Sequence, residues 1–189
     1  SVTAMYVDIK DNIASPGGIF TDGYGTDSGN NSGWTFAATV PRNFYWIGGS
    51  GTWNTTNTAN WSLTSGGLSA GCVPTKDDNV FFDVNSFTSG SKTVTVGSAV
   101  ECKSMDWLGA LFNPTFGSNS SGNNLDIYGS LILISGMNPG TGGAIGGWQL
   151  NFKSTVSNPV NTIQPAGNTF TMDRIYFDGV GGAWMLMGD

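Results

Sequence analysis

Asp77, Asp78, Asn79, Asp83 and Asn85 place five hard oxygen donors within nine residues, the ligand type that calcium requires. Their spacing follows neither the EF-hand loop nor the Gly/Asp nonapeptide pattern, and solvated turn and cap residues are the plain alternative. Calcium is therefore possible at Asp77, Asp78, Asp83 and Asn85, while no cofactor is required. With Lys76 the same aspartates have acid–base capacity, as do Asp173 and Asp178 with Arg174. Some polysaccharide-cleaving enzymes hold calcium on carboxylates and use a basic residue as proton acceptor, and two carboxylates serve a glycosidase as acid and base. Against catalysis, these acids sit at turn edges, where Asp commonly closes its own turn. The chain has no histidine, which removes Ser-His-Asp and Cys-His catalysis and the commonest zinc ligand. Glycine doublets such as Gly142-Gly143 and Gly146-Gly147 lie in turn-like contexts and form no phosphate-binding fingerprint. The expectation is a protein that is not an enzyme.

Tyr45, Trp46, Trp53 and Trp61 could form a flat platform for sugar rings. Buried aromatics dominate core energetics, and a core role is preferred for Trp46 and Trp61. Trp53, in a polar Gly-Thr-Trp-Asn turn, is the best candidate for an exposed ring. A glycan site would draw on Trp53, Trp61 and Tyr45. The two cysteines, Cys72 and Cys102, suit a disulfide worth roughly 3–4 kcal/mol in the chain-entropy model. The alternative is two unrelated buried thiols.

The elements that must carry these residues are β-strands. Glycine contributes 29 of 189 residues and charged residues only 11%, and Ser, Thr and Asn fill the gap. All of these sit low on the helix scale and suit short strands joined by turns. The chain is expected to be all-β. A net charge of -6, with two arginines and five scattered lysines, offers no cationic track for nucleic acid. The run Leu131-Ile132-Leu133-Ile134 is the longest purely aliphatic one and far too short to span a bilayer. The chain lacks an initiating methionine and a signal peptide, and it reads as a piece of a larger polypeptide.

Residues 1–9 (SVTAMYVDI) alternate well enough for a strand. A loop-rich stretch follows, punctuated by residues 16–18 (PGG), Gly23, Gly25, Gly29 and Gly33, with Trp34 and Phe36 anchoring its end. Residues 37–42 read as a connector, so a boundary is expected near residue 40, dividing 1–40 from 41–189. Later strands are expected at residues 92–96 (KTVTV), 103–107 (KSMDW), 125–128 (LDIY), 131–134 (LILI), 148–152 (WQLNF), 169–177 (TFTMDRIYF) and 183–187 (AWMLM). Met105, Leu125, Trp148 and Met172 follow one another at nearly even intervals along the chain. Such even steps suit a solenoid whose coils each contribute two or three short strands. Gly129, Gly136 and Gly179 would be corners. An antiparallel β-sandwich is the alternative, since it also spaces short strands closely. Short strands and continuous apolar runs favour parallel pairing.

The segments YWIGGSGTWN, NWS, CVPTKDDNVFFDVNSFT, TVTV, ECKSMDW, LDIYGSLILISGM and IYFDGVGGAWML together resemble the repeat unit of very large secreted bacterial surface proteins. Those are adhesin-like chains, often of the type IX secretion class. The resemblance implies a right-handed parallel β-helix, an extracellular or cell-surface location, and a preceding repeat whose closing coil is residues 1–40. It also implies cysteines at Cys72 and Cys102, in support of the bridge. The expected function is a structural, adhesive module acting as a stiff spacer, with neighbouring repeats or like subunits as partners and glycans as possible ones. A carbohydrate-binding module and a phage or filament structural protein are the alternatives.

Overall fold

The computed structural model describes residues 1–5, 7–14, 20–23, 25–36, 41–118, 120–141 and 148–188. The turn at 16–18, the connector at 37–40 and the doublets Gly142-Gly143 and Gly146-Gly147 lie outside the described residues. Two compact units divide the chain, Ser1–Pro41 and Arg42–Asp189.

The first unit holds β1 (Val2–Met5), β2 (Asp8–Ile9), β3 (Phe20–Gly23), β4 (Thr26–Asp27) and β5 (Trp34–Phe36). They form two parallel sheets, β1-β3-β5 and β2-β4. Val2, Phe20 and Trp34 stand in one column, and the Phe20 and Trp34 rings lie 5.5 Å apart. Among the described residues of this unit, Ile9 is the only buried hydrophobic side chain.

The second unit begins with β6 (Asn43–Trp46), β7 (Gly51–Trp53), a 3-10 turn over Thr58–Asn60, β8 (Trp61–Ser62) and β9 (Asn79–Phe81). It continues with β10 (Thr93–Val96), β11 (Val100–Cys102), β12 (Met105–Asp106), β13 (Thr115–Ser118), β14 (Asn124–Ile127) and β15 (Leu131–Ile132). The last are β16 (Asn138–Thr141), β17 (Gln149–Phe152), β18 (Asn161–Gln164), β19 (Arg174–Phe177) and β20 (Trp184–Leu186). Three sheets result, ordered β7-β10-β13-β16, β11-β14-β17-β19 and β8-β6-β9-β12-β15-β18-β20. From β10 to β18 the chain visits these sheets in fixed rotation, so each strand pairs with the one three elements on. The protein is thus all-β, with several open sheets. Every strand pair is parallel except β6–β8, which is antiparallel.

The strands are short because each has only one or two inward positions to fill. Leu125 and Ile127 point into the core while Asn124 and Asp126 do not, the period-2 alternation of a pleated strand. A single apolar core cluster runs from Phe44 to Ile163. Within it Phe82 lies flat on Trp107, ring centroids 3.7 Å apart and planes 5° apart. Gly129 turns the corner between β14 and β15 where a Cβ would sit 2.8 Å from the Lys103 carbonyl oxygen and closer still to the Ser104 hydroxyl. Only a residue without a side chain lets this corner lie so close to the backbone just ahead of β12. The even sequence steps through Met105, Leu125, Trp148 and Met172 mix sheets. Met105 pairs with Leu131, and Leu125 with Leu150.

Candidate functional site

The acidic stretch before and after β9 is divided among separate structural tasks. Asp78 is buried, and its carboxylate accepts from Arg42 Nε at 2.9 Å and Nη2 at 2.8 Å. It also accepts from the Thr75 amide at 3.0 Å and hydroxyl at 2.9 Å. Burial pushes the Asp78 carboxyl up, but the hydrogen bonds from Arg42 and Thr75 outweigh it and hold the group below its ordinary value. Asp77 is paired to its neighbour Lys76 at 2.9 Å. Asp83 closes its own turn, accepting from the Asn85 amide at 2.9 Å, while the Asn85 side-chain amide donates to Ser65 at 2.9 Å. The side chains expected to hold calcium at Asp77, Asp78, Asp83 and Asn85 are therefore taken up by an ion pair to Lys76, the Arg42 and Thr75 contacts, a local turn and Ser65 respectively. Among the described residues, no three of His, Cys, Asp or Glu are grouped as a metal site would need. The second acidic set also disperses: Arg174 pairs with Asp173 at 3.2 Å, whereas Asp178 faces Lys153 at 3.6 Å.

The aromatic platform is turned inward. Trp53 is fully buried, against the expectation of an exposed turn. The reason is local hydrogen bonding. Asn54 Oδ1 accepts from the amides of Thr56 and Asn57, folding the loop back so that Asn60 Nδ2 donates to the Thr52 carbonyl at 2.9 Å. That brings Trp61 edge-on to Trp53 at 5.0 Å and to Trp46 at 5.1 Å. Trp61 and Trp46 are likewise buried. Of the expected glycan set, Tyr45 alone is half-buried, and its ring stacks on Phe81 at 5.2 Å. Trp53 and Trp61 are packed into the core and form no exposed platform.

The expected disulfide is absent: Cys72 and Cys102 are free thiols. Cys102 fills an inward position on β11, stacked in register beneath Ile127. Cys72 lies in the loop ahead of β9, where the Arg42 guanidinium approaches its sulfur at 3.8 Å. Burial, then the charges of Glu101 and Asp126, push the Cys102 thiol well above its ordinary value. Each sulfur is thus held by its own packing partner.

What the structure does bring together is a polar ladder on the outer face of β11-β14-β17-β19. Glu101, Asp126, Asn151 and Tyr176 stand in one column, each the register partner of the next. Asp126 is its hub. Its Oδ1 accepts from Asn124 and Asn151 Nδ2, each at 2.7 Å, and its Oδ2 lies 3.3 Å from Lys153 Nζ. The Asp126 carboxylate holds the Lys153 ammonium above its ordinary value. Glu101 has no side-chain partner among the described residues. A cleft of about 280 Å³ opens beside it, lined among others by Trp53, Asn54, Val73, Val100, Glu101 and Asn124. Such a face offers hydrogen-bond acceptors and donors, with a fully charged lysine in place of a free base. The sequence carries a signal for this column: the segments VECK, LDIY, LNFK and IYFD recur at one constant spacing, each aligning with the next.

No family model, curated protein or solved structure matches this chain. No helix among the described residues is long and apolar enough to cross a membrane.

The two ends of the second unit differ. At the β6 end, antiparallel β8 lies along the sheet edge and Trp46, Trp53 and Trp61 close the core. At the β19–β20 end, the inward columns of the two sheets that these strands close lose their cover. Leu125 and Leu150 are buried, while Ile175 above them is 41% exposed. Ile127 and Phe152 are buried, while Phe177 is 60% exposed. Val80, Met105, Leu131 and Ile163 are buried, while Leu186 is 72% exposed.

Proposed function

We propose that this protein is a stacked-coil module, a right-handed parallel β-helix, of a long extracellular bacterial surface protein of the adhesin-like, type IX-secreted kind. It serves as a stiff spacer whose polar faces make weak contacts that gain strength by repetition. Residues 1–40 then represent the closing coil of a preceding repeat. The observation that carries the reading is the Glu101–Asp126–Asn151–Tyr176 column, in register from strand to strand. Constant register makes each coil an addition to the one before, so stiffness and contact area grow with coil number.

A mechanical role in place of catalysis is supported by how the acids are used. Asp78 is neutralised by Arg42, and Asp126 is shared by two amides and a lysine. Weak contacts are the natural output of a surface of exposed hydroxyls and amides, and avidity then depends on how many modules engage at once. The test compares densely coated beads with the free protein on glycan- and matrix-coated surfaces. The spacer reading predicts bead retention that rises steeply with coating density, alongside no measurable binding by the free chain. Tight one-to-one binding of the free chain to a single glycan would replace this reading with a carbohydrate-binding module. Product release from a glycan would replace it with an enzyme.

A further inference from the structure

The geometry points to the cleft beside Glu101 as a docking site for a short extended segment of a partner polypeptide that carries a basic residue. The inference rests on the weak-contact reading above and names the partner of one such contact.

The backbone of β11 is only half spent. The Cys102 carbonyl accepts from the Tyr128 amide at 3.0 Å, so Val100 and Cys102 turn their backbone groups toward β14, in register with Leu125 and Ile127. Alternation along a strand turns the Glu101 amide and carbonyl the other way. That way is the side of Asp78, whose carbonyl accepts from the Lys103 amide at 2.7 Å. Among the described strands β11 pairs only with β14, so the Glu101 backbone groups have no ladder partner. An internal stretch leaves this edge open: among the described strands, none from residues 54–78, between β7 and β9, joins this sheet. The cleft of about 280 Å³ is lined from both sides of the gap, by Val73 and Pro74 ahead of Asp78 and by Val100 and Glu101 on β11. A backbone donor and acceptor side by side on a strand edge are what an extended peptide pairs with, and a pocket beside them then selects its side chains.

Charge and surface decide which side chains those are. Glu101 and Asp126 both line the cleft, and among the described residues no lysine or arginine does. Asp126 is already shared by Asn124, Asn151 and Lys153, whereas Glu101 has no side-chain partner among the described residues. A half-buried carboxylate beside Val73, Pro74 and Val100 favours a cation on an aliphatic stem, the make-up of lysine and arginine. A neutral or anionic occupant would cover the Glu101 charge without compensating it. Trp53, the aromatic side chain lining the cleft, is packed into the core and forms no exposed platform for a sugar ring.

The test titrates the isotope-labelled full chain with the blocked peptide Thr-Val-Lys-Val-Thr and follows the backbone amide signals by NMR. Expected are shifts at Asn54, Val73 and Glu101 with a dissociation constant on the order of 1 mM, weakened by salt. A contact this weak does not hold a free chain on a surface and becomes additive when modules are arrayed. Glu101→Gln should weaken binding roughly three- to tenfold. Asp173→Asn, at an exposed acid outside the cleft lining, should leave it unchanged. Amide spectra that match the wild type away from the substituted residue establish that both variants are folded. Butylammonium, the same cation without a backbone, should bind roughly tenfold more weakly than the peptide, and the peptide with glutamate in place of lysine should not bind. Unmoved cleft amides at peptide concentrations well above millimolar overturn the inference. So does equal binding of the lysine and glutamate peptides, which would make charge irrelevant. Equal binding of butylammonium also overturns it, since the strand edge would then play no part. Density-dependent bead retention without peptide-induced shifts would sink this docking alone and leave the spacer reading standing. Shifts at the cleft without bead retention would sink the spacer reading and leave the docking.

Discussion

The Arg42 guanidinium grips the Asp78 carboxylate through two parallel contacts, Nε to Oδ1 at 2.9 Å and Nη2 to Oδ2 at 2.8 Å. The pair ties the residue just ahead of β6 to the residue just ahead of β9, and the Asn79 amide completes the tie by donating to the Arg42 carbonyl at 2.8 Å. Fork-to-carboxylate geometry of this kind fixes direction as well as energy.

Removing the Asp78 carboxylate takes a charged acceptor from the half-buried Arg42 guanidinium, which keeps its contacts with the Cys72 sulfur and the Phe44 ring. Asp78→Asn should lower the unfolding free energy by about 3 kcal/mol at neutral pH, the low end for a broken buried pair. The pH dependence follows from the depressed folded-state pKa. The contribution of Asp78 is fully present above its unfolded value, about 3.9, and is lost as pH falls through the lower folded value. Urea titrations should show the wild-type advantage over Asp78→Asn constant from pH 7 to 5 and shrinking below pH ~3.9. An advantage that grew on acidification would contradict the assignment.

The free thiols give a second expectation. Cys102 is buried with a raised pKa, whereas Cys72 is half-buried, and reactivity follows thiolate character and access. A thiol reagent at pH 8 should label Cys72 in the native protein and reach Cys102 only after denaturation. Reductant should leave the melting temperature unchanged. A denatured, unreduced chain that titrates no thiols would instead establish the bridge.

How far the sequence speaks depends on what each segment needs to declare itself. KTVTV, LDIY and WQLNF alternate or concentrate apolar residues, and they form β10, β14 and β17. β13 (TFGS), β16 (NPGT) and β18 (NTIQ) carry one large apolar side chain or none. They are strands because their ladder neighbours hold their backbones, β10 and β16 for β13, β13 for β16, and β15 and β20 for β18, and no local pattern announces that. The stretch TFTMDRIYF reads as one strand, yet only Arg174–Phe177 pairs, with β17. Trp53 looks exposed from its polar neighbours Asn54, Asn57 and Asn60, but these spend their side chains folding the loop inward. The ladder of Glu101, Asp126 and Asn151 is legible only to an alignment at the ladder's own interval. The step from Met105 to Leu125 instead joins residues from different sheets.

The close approach of backbone at the β14–β15 corner makes Gly129 a sensitive position. A methyl group there meets the Lys103 backbone ahead of β12, and backbone cannot swing aside as a side-chain tip can. Gly129→Ala should cost about 1–3 kcal/mol, the range for overpacking, measured by chemical denaturation. Gly109 has a positive φ and open space around its would-be Cβ, so Gly109→Ala should show only backbone strain, without the steric clash. Equal, negligible losses at both positions would argue against tight stacking at the corner.

The central claim is that successive strands of each ladder lie parallel and in register, and interstrand nuclear Overhauser contacts read it most directly. Parallel strands give amide-to-Hα contacts along the ladder, and antiparallel strands give close Hα–Hα pairs at their non-hydrogen-bonded positions. The account predicts contacts from Leu125 to Leu150 and from Leu150 to Ile175, with no Hα–Hα pairs among β14, β17 and β19. Strong Hα–Hα contacts between those strands, as in two antiparallel sheets packed face to face, would contradict it.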